Sequence, residues 1–158
     1  MDARIRPAPV RKTISVKAPP ERAFHVFTAQ MNRWWHPDHH IGKSSLKAVV
    51  VEPRVGGRWY EVGEDGSECD WGKVLVWEPP ARVVFAWQLT GEWKYDSTFL
   101  TEVEVSFIPE GSGTRVELEH RNLERYGDKA EAVRSSLDSP EGWAGGLRLF
   151  ADAIAKSE

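Results

Sequence analysis

The chain has 158 residues, the usual length of one domain, and its 24 acidic and 21 basic side chains leave a formal charge of -3. This balance does not favour nucleic acid as a partner, because binding a phosphate backbone requires a basic surface. No apolar run approaches the roughly 20 residues that span a bilayer. With Cys69 as its one cysteine and no signal-like start, the chain is predicted to be cytoplasmic.

The first predicted element is a strand near the N-terminus. Residues 1–9 contain prolines and arginines and read as a flexible lead-in, whereas residues 10–158 are expected to form a single domain. Ile14 and Val16 alternate with polar residues, which is typical of a half-buried strand. Pro19-Pro20 ends this strand.

Two short helices are predicted next. Glu21 lies in the first turn of the first helix, where a carboxylate favours the positive end of the helix dipole. The buried stripe of this helix consists of residues three and four apart: Ala23, Phe24 and Phe27. Residues 31–35 are predicted to add a second helical turn, which Pro37 ends.

Six strands are predicted after Gly42, each bounded by Gly, Pro or an acidic turn. They cover residues 46–52, 58–62, 69–77, 82–89, 99–108 and 114–120. Alternation in the later strands predicts a solvated outer face. The side chains assigned to that face are Gln88, Glu102, Glu104, Ser106, Arg115, Glu117 and Glu119. Both faces of strands 46–52 and 69–77 carry apolar residues, so their inward sides stay open.

The pattern after Asn122 returns to helical periodicity. Residues 123–136 are predicted to form a short polar helix, and Ser139 is a candidate N-cap for a last helix with Pro140 at its first position. The apolar stripe of this last helix is Trp143, Leu147, Phe150 and Ile154. The order strand, two helices, six strands and one long helix predicts an α+β fold, in which a curved antiparallel sheet of about seven strands wraps around the C-terminal helix and leaves a cavity.

Short motifs in a fixed order carry a resemblance to a known family. They are Trp34-Trp35-His36-Pro37, Gly56-Gly57-Arg58-Trp59, Phe85-Ala86-Trp87, Gly113-Thr114-Arg115-Val116 and Gly142-Trp143. The chain resembles the START-like superfamily of helix-grip domains (SRPBCC) and, within it, the bacterial homologues of the activator of the ninety-kilodalton heat-shock-protein ATPase. This resemblance implies a helix-grip fold. Members of the superfamily bind lipids, hormones, flavonoids or polyketides, and some are cyclases or hydrolases.

Nine residues are predicted to contact a ligand: Trp34, Trp35, Trp71, Phe85, Trp87, Trp93, Phe107, His120 and Trp143. Those near loops or strand ends are favoured for a pocket mouth, namely Trp34, Trp35, Trp71 and Trp93. Phe85, Trp87, Phe107 and Trp143 follow inward stripes and also fit a simple core. His120 shares the inward parity of Val116 and Leu118, so it is either a core histidine or a ligand contact. Trp59 and Trp77 stay unassigned.

No metal, cofactor or catalytic group is predicted. The cluster His36, Asp38, His39 and His40 invites a metal site, but adjacent histidines rarely reach one ion and the sequence offers no second cluster. We therefore interpret it as a polar loop. Cys69 has no evident base beside it, and Ser112 lies in a hairpin turn, without the strand-to-helix elbow of a hydrolase serine.

These features favour the binding of a small, largely hydrophobic or aromatic molecule in an internal cavity. One alternative is an enzyme of the cyclase or hydrolase type that uses His120 in the same pocket. The sequence shows no acid–base pair to support it. A second alternative is a co-chaperone-like or regulatory protein-interaction module, which would require an exposed apolar patch on the predicted charged face.

Overall fold

A seven-stranded antiparallel sheet, curled into a half-barrel, forms the frame of the protein. The computed structural model describes residues 7–156. The strands are β1 (Val10–Val16), β2 (Leu46–Val51), β3 (Arg58–Gly63), β4 (Glu68–Glu78), β5 (Arg82–Trp87), β6 (Thr101–Glu110) and β7 (Gly113–Arg121). Consecutive strands pair from β2 to β7, and β1 returns to pair with β7.

The helices are α1 (Pro20–Thr28), α2 (Met31–Trp34), a 3-10 helix (Leu123–Lys129), α3 (Ala130–Asp138) and α4 (Trp143–Lys156). Helix α4 crosses the inner face of the sheet. Its Phe150 is fully buried, with its ring 5.3 Å from Phe27 and 5.7 Å from Trp34. The predicted helix-grip architecture is therefore confirmed.

The predicted lead-in, residues 1–9, falls only partly within the described chain. Residues 1–6 lie outside it, as do the C-terminal residues 157–158. The carbonyls of Ala8 and Pro9 accept hydrogen bonds from the Arg134 guanidinium on α3, at 2.7 and 3.4 Å.

The start of the last helix differs from the prediction. Ser139 ends α3 instead of capping α4, because its hydroxyl donates to the Ser136 carbonyl at 2.8 Å and its own carbonyl accepts the Gly142 amide at 2.9 Å. A Cβ at Gly142 would lie 2.2 Å from the Leu137 carbonyl oxygen, so this tight turn requires glycine. The predicted helix over 123–136 is likewise divided, into the 3-10 helix and α3, and Gly127 inside the 3-10 helix has a φ of 60° that interrupts the helical backbone.

The sequence did not determine which side chains of β2 and β4 face inward, and the structure does. Val49 and Val51 of β2 and Trp71 and Val74 of β4 are buried. Strand β4 carries two irregularities, one against β3 and one against β5 near Val74. Bulges shift the side-chain alternation, which is why a strict period of two fails along this strand.

The outer face carries ion pairs but is not wet throughout. Arg121 donates to Glu102 and Glu104. Its hydrogen bond to Glu104, with the one from Arg82, holds the pKa of Glu104 below its usual value against the effect of burial. Gln88, predicted to be exposed, is buried because its amide donates to the Ser97 carbonyl at 3.2 Å in the loop after β5. Within residues 7–156, no helix is long and apolar enough to cross a bilayer.

Candidate functional site

A cavity of about 360 Å³ lies between the inner face of the sheet, the loop after α2 and the start of α4. Six indole rings line it: Trp34, Trp35, Trp71, Trp87, Trp93 and Trp143. We call this set the tryptophan cage. Strands β4 and β5 supply two of these residues, and helices α2 and α4 supply one each. Trp35 follows α2, and Trp93 lies in the loop after β5.

The rings of the tryptophan cage contact one another. Trp35 is its hub, with ring centroids 4.9 Å from Trp71, 6.0 Å from Trp143 and 5.7 Å from Trp34. Trp87 continues the wall, 5.6 Å from Trp143. Such tilted and edge-to-face pairs are the stable arrangements of aromatic rings, so the cage is a packed wall.

Most indole N–H groups of the cage are bonded to the protein. Trp34 donates to the Val26 carbonyl at 3.1 Å, and Trp35 donates to the His39 carbonyl at 2.8 Å. Trp87 differs, because its buried N–H has no hydrogen-bond partner among the described residues. The surface that the cage offers a ligand is therefore mainly aromatic carbon.

The structure brings six of the nine predicted ligand contacts together and leaves three elsewhere. Phe85 packs on Trp59 at 4.6 Å, and Phe107 packs on Phe24 and Phe27 at 5.2 and 5.7 Å. His120 lies behind the cage wall. Strand parity identified all three as inward-facing, but parity does not tell which end of the inner face borders a cavity. Trp77, previously unassigned, packs on Phe24 outside the cage.

His120 is sealed between the sheet and α4. It is fully buried, its Nδ1 accepts the Trp143 indole N–H at 3.0 Å, and its Nε2 lies 2.8 Å from the Thr101 hydroxyl. Because an indole nitrogen can only donate, the hydrogen of the neutral ring is on Nε2, which donates to Thr101. Burial lowers the pKa of His120 to about 3. The ring is therefore uncharged at neutral pH and supports Trp143 from behind.

The mouth of the cavity is polar. We call residues 35–42 the histidine loop; its members His36, Asp38, His39 and His40 border the cavity. The rings of His36 and His39 stack with centroids 4.6 Å apart, and the Asp38 amide donates to His36 Nδ1 at 3.0 Å. The pKa of His39 is lowered, first by burial and then by His36, although Asp38 and Glu141 act in the opposite direction.

Glu61 anchors the histidine loop, and the sequence analysis missed it. Its carboxylate is 1 % exposed and accepts three N–H groups: Ile41 at 2.6 Å, Gly42 at 3.0 Å and the Trp71 indole at 2.7 Å. Such partners are what a buried carboxylate requires. One signal was present in the sequence, since Glu61 shares the inward parity of Trp59 on β3. A charged residue at an inward position indicates a buried polar site.

Neither a metal site nor an activated thiol emerges from the geometry. Within residues 7–156, no group of three His, Cys, Asp or Glu side chains is placed to hold a metal ion. Burial, followed by the charges of Glu61, Asp65 and Asp70, raises the pKa of Cys69. A raised pKa disfavours the thiolate that a nucleophile would need.

The family model described as Activator of Hsp90 ATPase homolog 1-like protein matches residues 17–154. The chain belongs to this family. No curated protein sequence matches it. Among solved structures, one similar protein is an anthrahydroquino-γ-pyrone synthase, Txn09, complexed with SUM. The two chains are 41% identical, 93% of this chain and 97% of the other are covered, and the TM-score is 0.66.

Two further structures of this family's fold are similar. The self-sacrificing resistance protein CalC from Micromonospora echinospora is 32% identical, with 95% of this chain and 96% of the other covered and a TM-score of 0.71. The Aha1 dimer from Colwellia psychrerythraea is 20% identical, with 94% and 96% covered and a TM-score of 0.60. At that identity the Aha1 likeness concerns the fold alone.

Proposed function

We propose that this protein binds one small, flat aromatic molecule inside the tryptophan cage. The observation that carries the proposal is the convergence of six indole rings from separate elements on one cavity of about 360 Å³. This volume lies at the lower end of the range of about 300–1,000 Å³ typical of small-molecule sites. Each ring contact between ligand and cage would add about 0.5–1.5 kcal/mol beyond the burial of apolar area.

Oxygen substituents on the ligand are part of this proposal. Asp38, His39 and Glu141 border the cavity and are solvent-exposed, so they offer charged and hydrogen-bonding groups where the ligand would meet water. A fused-ring, oxygen-bearing aromatic compound fits both surfaces. The name of the 41% identical synthase includes an anthrahydroquinone and a γ-pyrone, which supports the same ligand class here.

The proposal also includes a cellular compartment and a partner. We place the protein in the cytoplasm, where its single cysteine would remain reduced, with a small molecule as its partner and residues 10–158 acting as one unit. A co-chaperone role finds no comparable support. Within the described residues, the large apolar side chains classed as exposed are Val55, Trp93 and Tyr95, and Trp93 already belongs to the cage.

Tryptophan fluorescence tests the proposal. A hydroxyanthraquinone titrated into the protein should quench the emission with about one site per chain, whereas a long-chain fatty acid should compete weakly. Trp35→Leu removes the hub of the cage and should weaken hydroxyanthraquinone binding about tenfold, which corresponds to about 1.4 kcal/mol. Trp77→Leu is the matched control, because Trp77 is half-buried against Phe24 outside the cage.

Two results would contradict the proposal. One is an absence of quenching by both hydroxynaphthoquinones, which have two fused rings, and hydroxyanthraquinones, which have three. The other is an equal loss of affinity in Trp35→Leu and Trp77→Leu, which would place binding outside the cage.

A further inference from the structure

The backbone sets the tautomer of one histidine of the histidine loop. His40 borders the cavity, and its Nδ1 lies 2.9 Å from the Gly42 carbonyl oxygen. Because a carbonyl only accepts, the hydrogen of the neutral ring sits on Nδ1 and the lone pair sits on Nε2. Within residues 7–156, Nε2 has no hydrogen-bond partner. The backbone thus fixes the tautomer in which Nε2 can accept a proton.

A buried carboxylate stands behind this ring. Oε2 of Glu61 lies 3.9 Å from His40 Nδ1, and the hydrogen bonds from Ile41, Gly42 and Trp71 hold it in place. When Nε2 takes a proton, the positive charge of the imidazolium faces this carboxylate at close range, where burial strengthens the attraction. The group that orients the ring directly is the Gly42 carbonyl, and Glu61 holds Gly42 through its amide. A base oriented by a third group is the arrangement found in many acid–base sites.

The other histidines lack this combination. His120 is sealed with both nitrogens bonded. Nδ1 of His36 is occupied by the Asp38 amide, and among the described contacts no carboxylate within 4.0 Å pairs with the ring of His36 or His39. His25 is exposed on α1, away from the cavity.

We propose that His40 is a general base of the cavity, with Glu61 as its positioning residue, and that it acts on an acidic hydroxyl of an aromatic ligand. This inference rests on the proposed function, because it requires an aromatic ligand in the tryptophan cage.

The reaction class is an intramolecular ring closure. His40 Nε2 takes the phenolic proton, and the phenolate oxygen forms a C–O bond to a conjugated C=C of the same molecule. The electron pair of the C=C π bond shifts toward the carbonyl to give an enolate, and His40 returns the proton to the carbon next to the carbonyl.

This sequence of steps is an isomerisation. One O–H bond and one C=C π bond are lost, and one C–O and one C–H bond are formed, so no oxidant, reductant or second reactant is needed. The product contains a six-membered oxygen ring fused to an aromatic ring. The cage orients the flat molecule, and His40 provides the proton transfer.

The probe is 2′-hydroxychalcone, a flat phenolic enone that closes to flavanone by these steps. Binding is measured by tryptophan quenching, and ring closure by the loss of chalcone absorbance. The protein should accelerate closure at least about 100-fold over buffer, the lower end of what one general base provides. His40→Asn places an amide nitrogen where Nδ1 was and removes Nε2, so it should lower turnover about 100-fold while the chalcone dissociation constant changes less than about threefold.

His25→Asn is the matched control and should retain full turnover. His40→Gln serves as a second variant if His40→Asn melts at a lower temperature than the parent, because it fills the Nε2 position with a group that is not basic. Binding without accelerated closure in the parent protein overturns the role of His40 but leaves the proposed function intact. Turnover that survives in both His40 variants, or that depends on His39→Asn instead, also overturns it. A lack of chalcone and hydroxyanthraquinone binding overturns the proposed function and this inference together.

Discussion

The imidazole of His120, in the core behind the cage, and that of His40, in the histidine loop, have opposite surroundings. The ring of His120 is fully buried, and each of its nitrogens has a protein partner. The ring of His40 borders the cavity, and one of its nitrogens is free of protein partners among the described residues. A fully buried histidine with both nitrogens bonded has a structural role, whereas the half-buried ring of His40, with Glu61 beside it, is the one for which we propose proton transfer.

The two regions nevertheless meet at the tryptophan cage. His120 accepts the indole N–H of Trp143, and Glu61 accepts that of Trp71. Each polar group therefore orients one wall of the cavity from behind. The difference is that Glu61 also lies 3.9 Å from a second ring, that of His40, whereas both nitrogens of His120 are bonded to the protein.

Replacing His120 should give the largest effect on stability. His120→Leu leaves the buried Trp143 indole N–H without a partner and removes the 2.8 Å hydrogen bond of the Thr101 hydroxyl, which keeps only its 3.5 Å bond to the Trp87 carbonyl. An unsatisfied buried polar group costs about 1–3 kcal/mol. We expect the free energy of unfolding at pH 7.5 to fall by about 3 kcal/mol in urea denaturation.

His39→Leu is the control for this substitution, because the ring of His39 is solvent-exposed and should contribute less than about 0.5 kcal/mol. Equal destabilisation by the two variants would show that the assignment of His120 to the structural region is wrong.

The pH dependence of stability should separate the two regions next. The folded protein holds the pKa of His120 at about 3, below its usual value near 6.5, so the unfolded chain takes up the proton first. The stabilisation is complete above pH 6.5 and is lost progressively as the pH falls toward 3. At pH 5 the loss from this group should be about 2 kcal/mol, since each unit is about 1.4 kcal/mol.

His120→Leu lacks this titration. The difference in unfolding free energy between the parent and the variant should therefore shrink by about 2 kcal/mol between pH 7.5 and pH 5. A difference that stays constant over this interval would show that His120 is accessible to protons in the folded state.

Most of the frame could be predicted from the sequence, because local patterns determine it. The alternation in β6 and β7, the proline at the start of α1 and the apolar stripe of α4 each act within a few residues. Six residues of the tryptophan cage were also named, since indoles near loop ends and inward stripes border a cavity in this architecture. Their role as ligand contacts stays a prediction.

The chemistry of the cavity could not be predicted in the same way. Glu61 and His40 are 21 positions apart. The pairing of β3 with β4 places Glu61 near Trp71, and the Ile41 amide of the histidine loop reaches the same carboxylate. Gln88 was placed on the wet face because nothing local indicated that the loop at Ser97 would cover it. Long-range contacts of this kind carry no periodic signal.

The smallest expected effect concerns metal ions at the histidine loop. The rings of His36 and His39 stack with centroids 4.6 Å apart, and His36 Nδ1 already accepts the Asp38 amide. Zinc requires four ligands at about 2.0–2.3 Å in a tetrahedron, and no group of three candidate ligands occurs within residues 7–156. We expect neither EDTA nor one equivalent of zinc to shift the melting temperature by more than about 1 °C, whereas stoichiometric metal binding to the folded state would raise it through mass action. A fall with EDTA that zinc restores would instead make the loop a metal site, and His40 would then be a ligand with no free nitrogen for proton transfer.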